Sequence, residues 1–265
     1  MLKSVELLIN LGYSKKEAEN ITSSYPLVTL KDETLCKKIN ENLNYLIGLG
    51  YTKSDVIKMT KHLPTLYSYS KENIKVKIVF LISLCYTKTD VIKMTKSFPP
   101  LYSYSKETIE DKIVFLVSLG YTKSDVIKMT KNFPSLYSYS KETIEEKIAF
   151  LMSLGYTKTD VINMTKNLPT LHGLSKENIE EKIKYLKDIG LEDIVINDTK
   201  KLMQSTPLTY AKYEFLTKEK GIIIDEFNYR KLFYGEAIFK KQYGVSKDVL
   251  LKKYSYEKYK GSIKL

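Results

Sequence analysis

The sequence predicts an all-α solenoid built from about six units of roughly 35 residues, and three observations carry that expectation. Pro26, Pro64, Pro99, Pro134, Pro169 and Pro207 are spaced 38, 35, 35, 35 and 38 residues apart. A Leu/Ile-Gly junction keeps the same step at Gly12, Gly50, Gly120, Gly155 and Gly190, with Cys85 in the glycine place of one unit and Tyr13, Tyr51, Tyr86, Tyr121 and Tyr156 following. Between these landmarks apolar residues recur at helical spacing, bounded by residues that start and stop helices. A period of this length marks supersecondary units that cannot bury their apolar faces alone and stack to do so.

Each unit reads as two helices. In the unit that opens at Gly120, Thr122 is placed as an N-cap with Asp125 three residues on, where its charge also suits the helix dipole. Thr52/Asp55, Thr87/Asp90, Thr157/Asp160 and Ser14/Glu17 repeat the device. The first helix runs through Val126, Met129 and Thr130 to Phe133, and Pro134 cannot continue it. A turn segment leads to Ser140, a second N-cap followed by Glu142. The second helix carries Ile144, Ile148 and Leu151 on one face and closes at Gly155, which can take the left-handed C-cap conformation.

The end units depart from this pattern. Unit one holds three extra residues within 29–41. In the last unit only five residues separate Pro207 from Lys212, against thirteen between Pro99 and Lys112. The repeats are assigned to residues 1–221. Residues 222–265 are read as a helical cap with a basic tail, in which Gly244 stops a helix and Ser246 starts another.

Formal charge is +12, and Arg230 is the one arginine among 43 basic residues. Such an excess attracts phosphate polyanions through a field that salt screens. Lysine offers a point charge rather than the bidentate fork that reads guanine. An AT-rich coding sequence would equally account for lysine in place of arginine, though not for the net charge. With only Cys36, Cys85, His62 and His172, neither a disulfide framework nor a structural zinc site is expected, and no cofactor is implied. No glycine-rich phosphate loop, GxSxG or His/Cys/Asp cluster is present, so an enzyme is not expected. Residues 1–10 lack the character of a signal or transit peptide, and no apolar run matches a bilayer. The expectation is a monomeric, cytoplasmic protein of bacterial type without membrane partners, or alternatively an organelle-matrix protein in mature form.

The string Leu-Gly-Tyr-Thr-Lys-Ser-Asp-Val-Ile-Lys-Met-Thr-Lys-Asn-Phe-Pro-Ser-Leu at 119–136, followed by Glu145-Glu146-Lys147-Ile148-Ala149-Phe150-Leu151, resembles the mTERF family of mitochondrial transcription termination factor-like proteins. The resemblance covers about residues 1–221. It implies a superhelical α-solenoid with two longer helices and a short 3-10 turn per repeat. It also implies binding of double-stranded DNA or RNA along a basic groove, with roles in organellar transcription, termination and ribosome assembly; a bacterial mTERF-like member is an alternative to an organellar one.

Charge is uneven within the unit, and this points to candidate binding residues. First helices of units two to four hold Lys53, Lys58 and Lys61, then Lys88, Lys93 and Lys96, then Lys123, Lys128 and Lys131, against one aspartate each; unit five keeps Lys166. Lys58 and Lys61 face the same way, and the period aligns them with Lys93/Lys96 and Lys128/Lys131 into a stripe suited to a polyanion. The alternative is a plain solvated face. His62, Ser97, Asn132 and Asn167 vary at one place near the end of the first helix and are candidates to face bases, as are Tyr69, Tyr104 and Tyr139 in the turn, whose rings could stack. Lys77, Lys112, Lys147, Lys182 and Lys212 on the second helices are expected to run along the core and pair with neighbouring acids. Two readings follow: nucleic-acid binding through the lysine stripe, or a scaffold for an acidic protein or peptide partner. The basic tail (Lys240, Lys241, Lys247, Lys252, Lys253, Lys258, Lys260, Lys264) fits either.

Overall fold

In the computed structural model, residues 2–257 and 259 are described, and among them every regular element is helical. Lys258, Lys260 and Lys264 of the basic tail lie outside the described residues. The chain divides into two compact units, Met1–Lys141 and Glu142–Leu265.

The first unit opens with α1 (Lys3–Leu11), a lone second-helix equivalent closed by Gly12 in the left-handed conformation at φ 110°. Repeat pairs follow as α2 (Lys15–Ser23) with α3 (Asp32–Leu49), α4 (Lys53–His62) with α5 (Lys71–Ser83), and α6 (Lys88–Ser97) with α7 (Lys106–Leu119), then α8 (Lys123–Asn132). Within each repeat a 3-10 turn joins the helices, such as Pro64–Ser68 and Pro99–Tyr102, with the proline at its start where no N–H is needed. First helices stack directly on first helices, α2 on α4, α4 on α6 and α6 on α8. Each second helix packs on the first helix that follows it: α3 on α4, α5 on α6 and α7 on α8. The second unit contains α9 (Lys141–Ser153, but for its first residue), α10 (Lys158–Asn167), α11 (Lys176–Asp188), α12 (Asp193–Asn197), α13 (Thr206–Glu214), α14 (Glu236–Tyr243) and α15 (Lys247–Lys253).

The anticipated caps form. Asp55 N donates to Thr52 Oγ1 at 3.0 Å while Thr52 N donates to Asp55 Oδ2 at 2.9 Å, and the same reciprocal pair closes the starts of α2, α6, α8 and α10. Cys85 takes the left-handed backbone that glycine takes in its sister units, with φ 77°, so this helix end bears the Cβ strain that glycine avoids. The extra residues of unit one lengthen its second helix, which has 18 residues against 13 in α5.

Unit six requires a correction. Pro207 lies in the first turn of α13 and is not the turn proline of its repeat. That place belongs to Thr199: Asp198 before it has φ −139° and ψ 52°, close to the −133° and 77° of Leu168 before Pro169, and each donates its N–H four residues back. The missing residues come out of the first helix, since α12 has 5 residues where α10 has 10. The spacing of prolines misled because proline is equally at home at the first turn of a helix.

Two polar ladders tie successive repeats together inside the apolar stack. The first is made by one position of the second helix. Lys77 Nζ donates to the carbonyl of Tyr104 and Lys112 Nζ to that of Tyr139 in the first unit; in the second, Lys147 donates to Leu174, Lys182 to Gln204 at 2.7 Å and Lys212 to Tyr234 at 2.7 Å. Lys112, Lys147, Lys182 and Lys212 are buried. Their hydrogen bonds reach backbone carbonyls at the end of the next turn, while the acids that the sequence suggests, such as Glu107 beside Lys77 and Glu177 beside Lys147, act on them through charge. Each of the first three also lies near an aromatic face, with Lys77 at 5.9 Å from the Phe80 ring, Lys112 at 5.8 Å from Phe115 and Lys147 at 5.9 Å from Phe150. Asn42 occupies the same position in α3 and makes the same connection, donating to the carbonyls of Tyr67 and Tyr69 at 2.9 Å each.

The second ladder joins the junction tyrosine to the next repeat. Tyr51 Oη meets Thr95 Oγ1 at 2.6 Å and Tyr102 Oη at 2.8 Å; Tyr86 meets Thr130 at 2.5 Å and Tyr137 at 2.9 Å; Tyr13 meets Thr60 at 2.5 Å and Tyr67 at 2.8 Å. All of these groups are buried, and burial pushes the tyrosine hydroxyls upward, so they stay protonated as donors. In the second unit the ladder fails at Tyr156. The shortened α12 puts Val195 and Leu202 where a threonine and a tyrosine would stand, and the Tyr156 hydroxyl is buried without a hydrogen-bond partner. His172 holds the ladder's second tyrosine position in unit five; it is buried, neither ring nitrogen has a partner, and burial together with the Lys147 charge lowers its pKa to about 4.

Removing a satisfied hydroxyl and removing an orphaned one have opposite expectations. Tyr86→Phe should cost about 1–2 kcal/mol in urea unfolding because Thr130 and Tyr137 lose a buried partner, whereas Tyr156→Phe should be neutral or stabilising. His172 gives a pH signature. Its folded pKa of about 4 lies below the ordinary 6.5, so its contribution is intact above pH 6.5 and is lost as pH falls through 4. The difference between wild type and His172→Phe over that window should reach up to about 3 kcal/mol, read as midpoint shifts in denaturant at successive pH values.

Candidate nucleic-acid interface

The amphipathic pattern of each first helix decides which side chains reach solvent. In α4, Val56, Met59 and Thr60 are buried against the neighbouring layers, which turns Lys58, Lys61 and His62 outward. The period repeats this on α6 with Lys93, Lys96 and Ser97, and on α8 with Lys128, Lys131 and Asn132. Lys53, Lys88 and Lys123 begin the same helices and are exposed. On α10, Asn167 is exposed and Lys166 half-buried.

The stripe is not uniform, because one lysine of each pair is already engaged. Lys61 Nζ lies 2.8 Å from Glu17, Lys96 Nζ 3.0 Å from Asp55, and Lys131 Nζ 2.8 Å from Asp90. The acids are the capping residues of the preceding first helix, so each carboxylate closes its own helix and binds the lysine of the next. Lys131 and the Thr87 cap hold the Asp90 carboxyl at about 2, and Lys61 with the Ser14 backbone holds Glu17 at about 2. Lys58, Lys93 and Lys128, and likewise Lys53, Lys88 and Lys123, are exposed and take part in no ion pair among the described residues.

The structure brings His62, Ser97 and Asn132 beside the unpaired lysines, since each stands four residues after Lys58, Lys93 or Lys128 on one helix face. The Ser97 hydroxyl is spent on its own helix, donating to the Met94 carbonyl at 3.0 Å. Tyr69, Tyr104 and Tyr139 are placed elsewhere. Their carbonyls receive the Asn42, Lys77 and Lys112 side chains of the second helices, and the rings of Tyr104 and Tyr139 pack at 6.0 Å from Phe98 and Phe133. Tyr69 lines an open groove with Asn73, Val76 and Lys106 alongside α5. None of the three shares the exposed face of the first helices. In the second unit Lys240, Lys241, Lys247, Lys252 and Lys253 are exposed, with Lys253 2.9 Å from Glu219.

What sequence reasoning missed is the pairing between repeats. The signal was present as a near-constant interval from capping acid to the paired lysine of the next unit, 44 residues from Glu17 to Lys61 and 41 from Asp55 to Lys96 and from Asp90 to Lys131. Among the described residues, no group of three or more His, Cys, Asp or Glu side chains could hold a metal ion, and no helix is long and apolar enough to cross a membrane.

This combination of capped first helix, proline-led 3-10 turn and second helix, stacked in register with a basic exposed face, defines an α-solenoid repeat protein. The mTERF family model matches residues 1–119 and 102–221, which together span residues 1–221, and the chain belongs to that family. Curated proteins yield no match to it. The family is one of helical-repeat, generally non-enzymatic nucleic-acid binders.

The doubled use of Asp90 is open to direct measurement. Lys131→Gln should let the Asp90 carboxyl climb from about 2 toward its ordinary 3.8, followed by carboxyl NMR titration. The sign for stability is fixed: a depressed carboxylate stabilises above pH 3.8 and loses that contribution as pH falls through about 2, so the variant should show a shallower acid dependence.

Proposed function

We propose that the chain binds the phosphate backbone of duplex DNA or RNA along its first-helix layer, with little sequence preference, in transcription or its regulation. The observation that carries this reading is the row Lys58, Lys93 and Lys128: one exposed, unpaired ammonium at the same place on three directly stacked helices. Stacked helices stand about 8–10 Å apart, so the cations recur at a regular short interval that a polyanion can follow. Lys53, Lys88 and Lys123 add a parallel row at the helix starts. Lys61, Lys96 and Lys131 serve the packing of one repeat on the next and contribute less to phosphate binding than their number suggests. Lysine rather than arginine along the row favours contacts to phosphate over readout of base edges. His62 and Asn132 extend the row toward the bases.

The test is a salt titration of affinity for a short duplex. Lys58→Gln/Lys93→Gln/Lys128→Gln should lower the slope of log affinity against log salt by roughly one per lysine removed, and charge reversal at the three positions should abolish binding. The matched triple at Lys61, Lys96 and Lys131 should lower the melting temperature while changing the slope far less. Failure of the wild type to bind duplex DNA or RNA at low salt would refute the proposal.

A further inference from the structure

Lys212 differs from the other ladder lysines in what surrounds its amine. Besides the Tyr234 carbonyl it has a side-chain acceptor, Gln204 Oε1 at 3.0 Å. The Gln204 amide is fixed in that orientation, because its nitrogen donates to the Leu232 carbonyl and to Thr209 Oγ1 at 2.9 Å each. Gln204, Tyr234 and Phe239, whose ring centre is 5.1 Å from Lys212 Nζ, all line a cavity of about 110 Å³ to which α13, α14 and α15 contribute walls. The amine end of Lys212, and not only its stem, therefore borders that space. Lys182, its neighbour in the ladder, borders a space of only about 10 Å³, no more than one water fills. Lys77 is half-buried beside a broad open groove. Of these three, Lys212 joins near-complete burial, at 3% exposure, to a cavity that holds a small molecule.

The lining selects the occupant. Leu208, Phe233, Phe239 and Leu250 make the cavity largely apolar, and Lys247, exposed on α15, adds a cation to its wall. Burial pulls the Lys212 pKa down to about 8; the Glu236 charge works against this and the Lys247 charge with it. Roughly a tenth of the amine is thus neutral at pH 7. A neutral amine has two N–H bonds, which the Tyr234 carbonyl and Gln204 Oε1 accept, and one lone pair left over. A desolvated lysine beside a second cation is the arrangement that makes an amine nucleophilic. We infer that Lys212 captures a short 2-oxo acid in this cavity as an imine, with the carboxylate of the acid held by Lys247. The lone pair forms the C–N bond as the carbonyl π pair moves to oxygen. Both amine protons pass to that oxygen, which leaves as water when the C=N bond forms. Amine and carbonyl become imine and water, and no oxidant or reductant is consumed. The site lies within the second unit and shares no residue with the first-helix lysine row, so this inference stands independently of the nucleic-acid reading.

The test treats the full chain with glyoxylate and cyanoborohydride at neutral pH, where hydride traps the imine as a secondary amine, and reads each lysine by peptide mass spectrometry. Lys212 should be labelled about tenfold or more faster than the exposed Lys240 and Lys241. Lys182, equally placed in the ladder but without the cavity, should stay unlabelled and so serves as the control for local opening of the fold. Lys247→Gln, a change at an exposed position checked by circular dichroism, should slow the labelling of Lys212 by glyoxylate severalfold more than its labelling by acetaldehyde, which is of like size but lacks the carboxylate. Labelling of Lys212 no faster than that of Lys240 and Lys241, equal labelling of Lys182, or an equal loss with both aldehydes in Lys247→Gln would overturn the proposal.

Discussion

A buried ammonium group must find acceptors, and in this fold that requirement sets the relation of one repeat to the next. Leaving a cation uncompensated in the interior costs several kcal/mol, far more than any single apolar contact returns. The second helix meets the demand with backbone carbonyls that end the following turn and with the face of a phenylalanine beside it. A carbonyl is fixed in the chain, so the lysine measures the position of the next repeat rather than merely attracting it. Asn42 makes the same measurement without charge, which shows that the geometry and not the charge is the essential part. The hydrophobic stack supplies the bulk of the free energy but is tolerant of sliding. The lysines are not.

The first-helix layer divides its cations between cohesion and display. A capping acid that already accepts backbone N–H groups is held ionised, and it therefore serves as a permanent partner for the lysine of the next helix. This leaves the other lysine of each pair unopposed, so the exposed field comes from fewer groups than the formal charge suggests. Exposed aliphatic surface gathers instead on α5 and α7. The two layers thus present different chemistry to solvent.

Much of this was legible in the chain. The period, the capping boxes, the helix stops and the shared face of Lys58 and Lys61 all followed from local rules about N–H groups, φ angles and helical spacing. The pairing of repeats did not, because it depends on contacts across 22 to 54 residues whose partners local pattern does not name. Lys112 was readable as a lysine near the core, but a carbonyl acceptor carries no side-chain signature, so the Tyr139 carbonyl could not be named. Pro207 misled for a different reason: one residue type serves two positions in this architecture, and only the backbone angles at Asp198 separate them. The exposed aliphatics of α5 were hidden by their own abundance, since a helix apolar on most sides gives no clear face to assign.

The couplings have fixed intervals in the chain: 27 residues from Lys77 to the Tyr104 carbonyl, 44 from Tyr51 to Thr95 and 51 from Tyr51 to Tyr102. Duplication or loss of one whole 35-residue unit preserves every such interval on both sides of the join. A single inserted residue within a turn breaks several at once. An array of this kind can therefore change length readily by whole units and hardly at all by fractions, until a change such as the shortened α12 leaves the Tyr156 hydroxyl without a hydrogen-bond partner and brings the hydroxyl ladder to a stop.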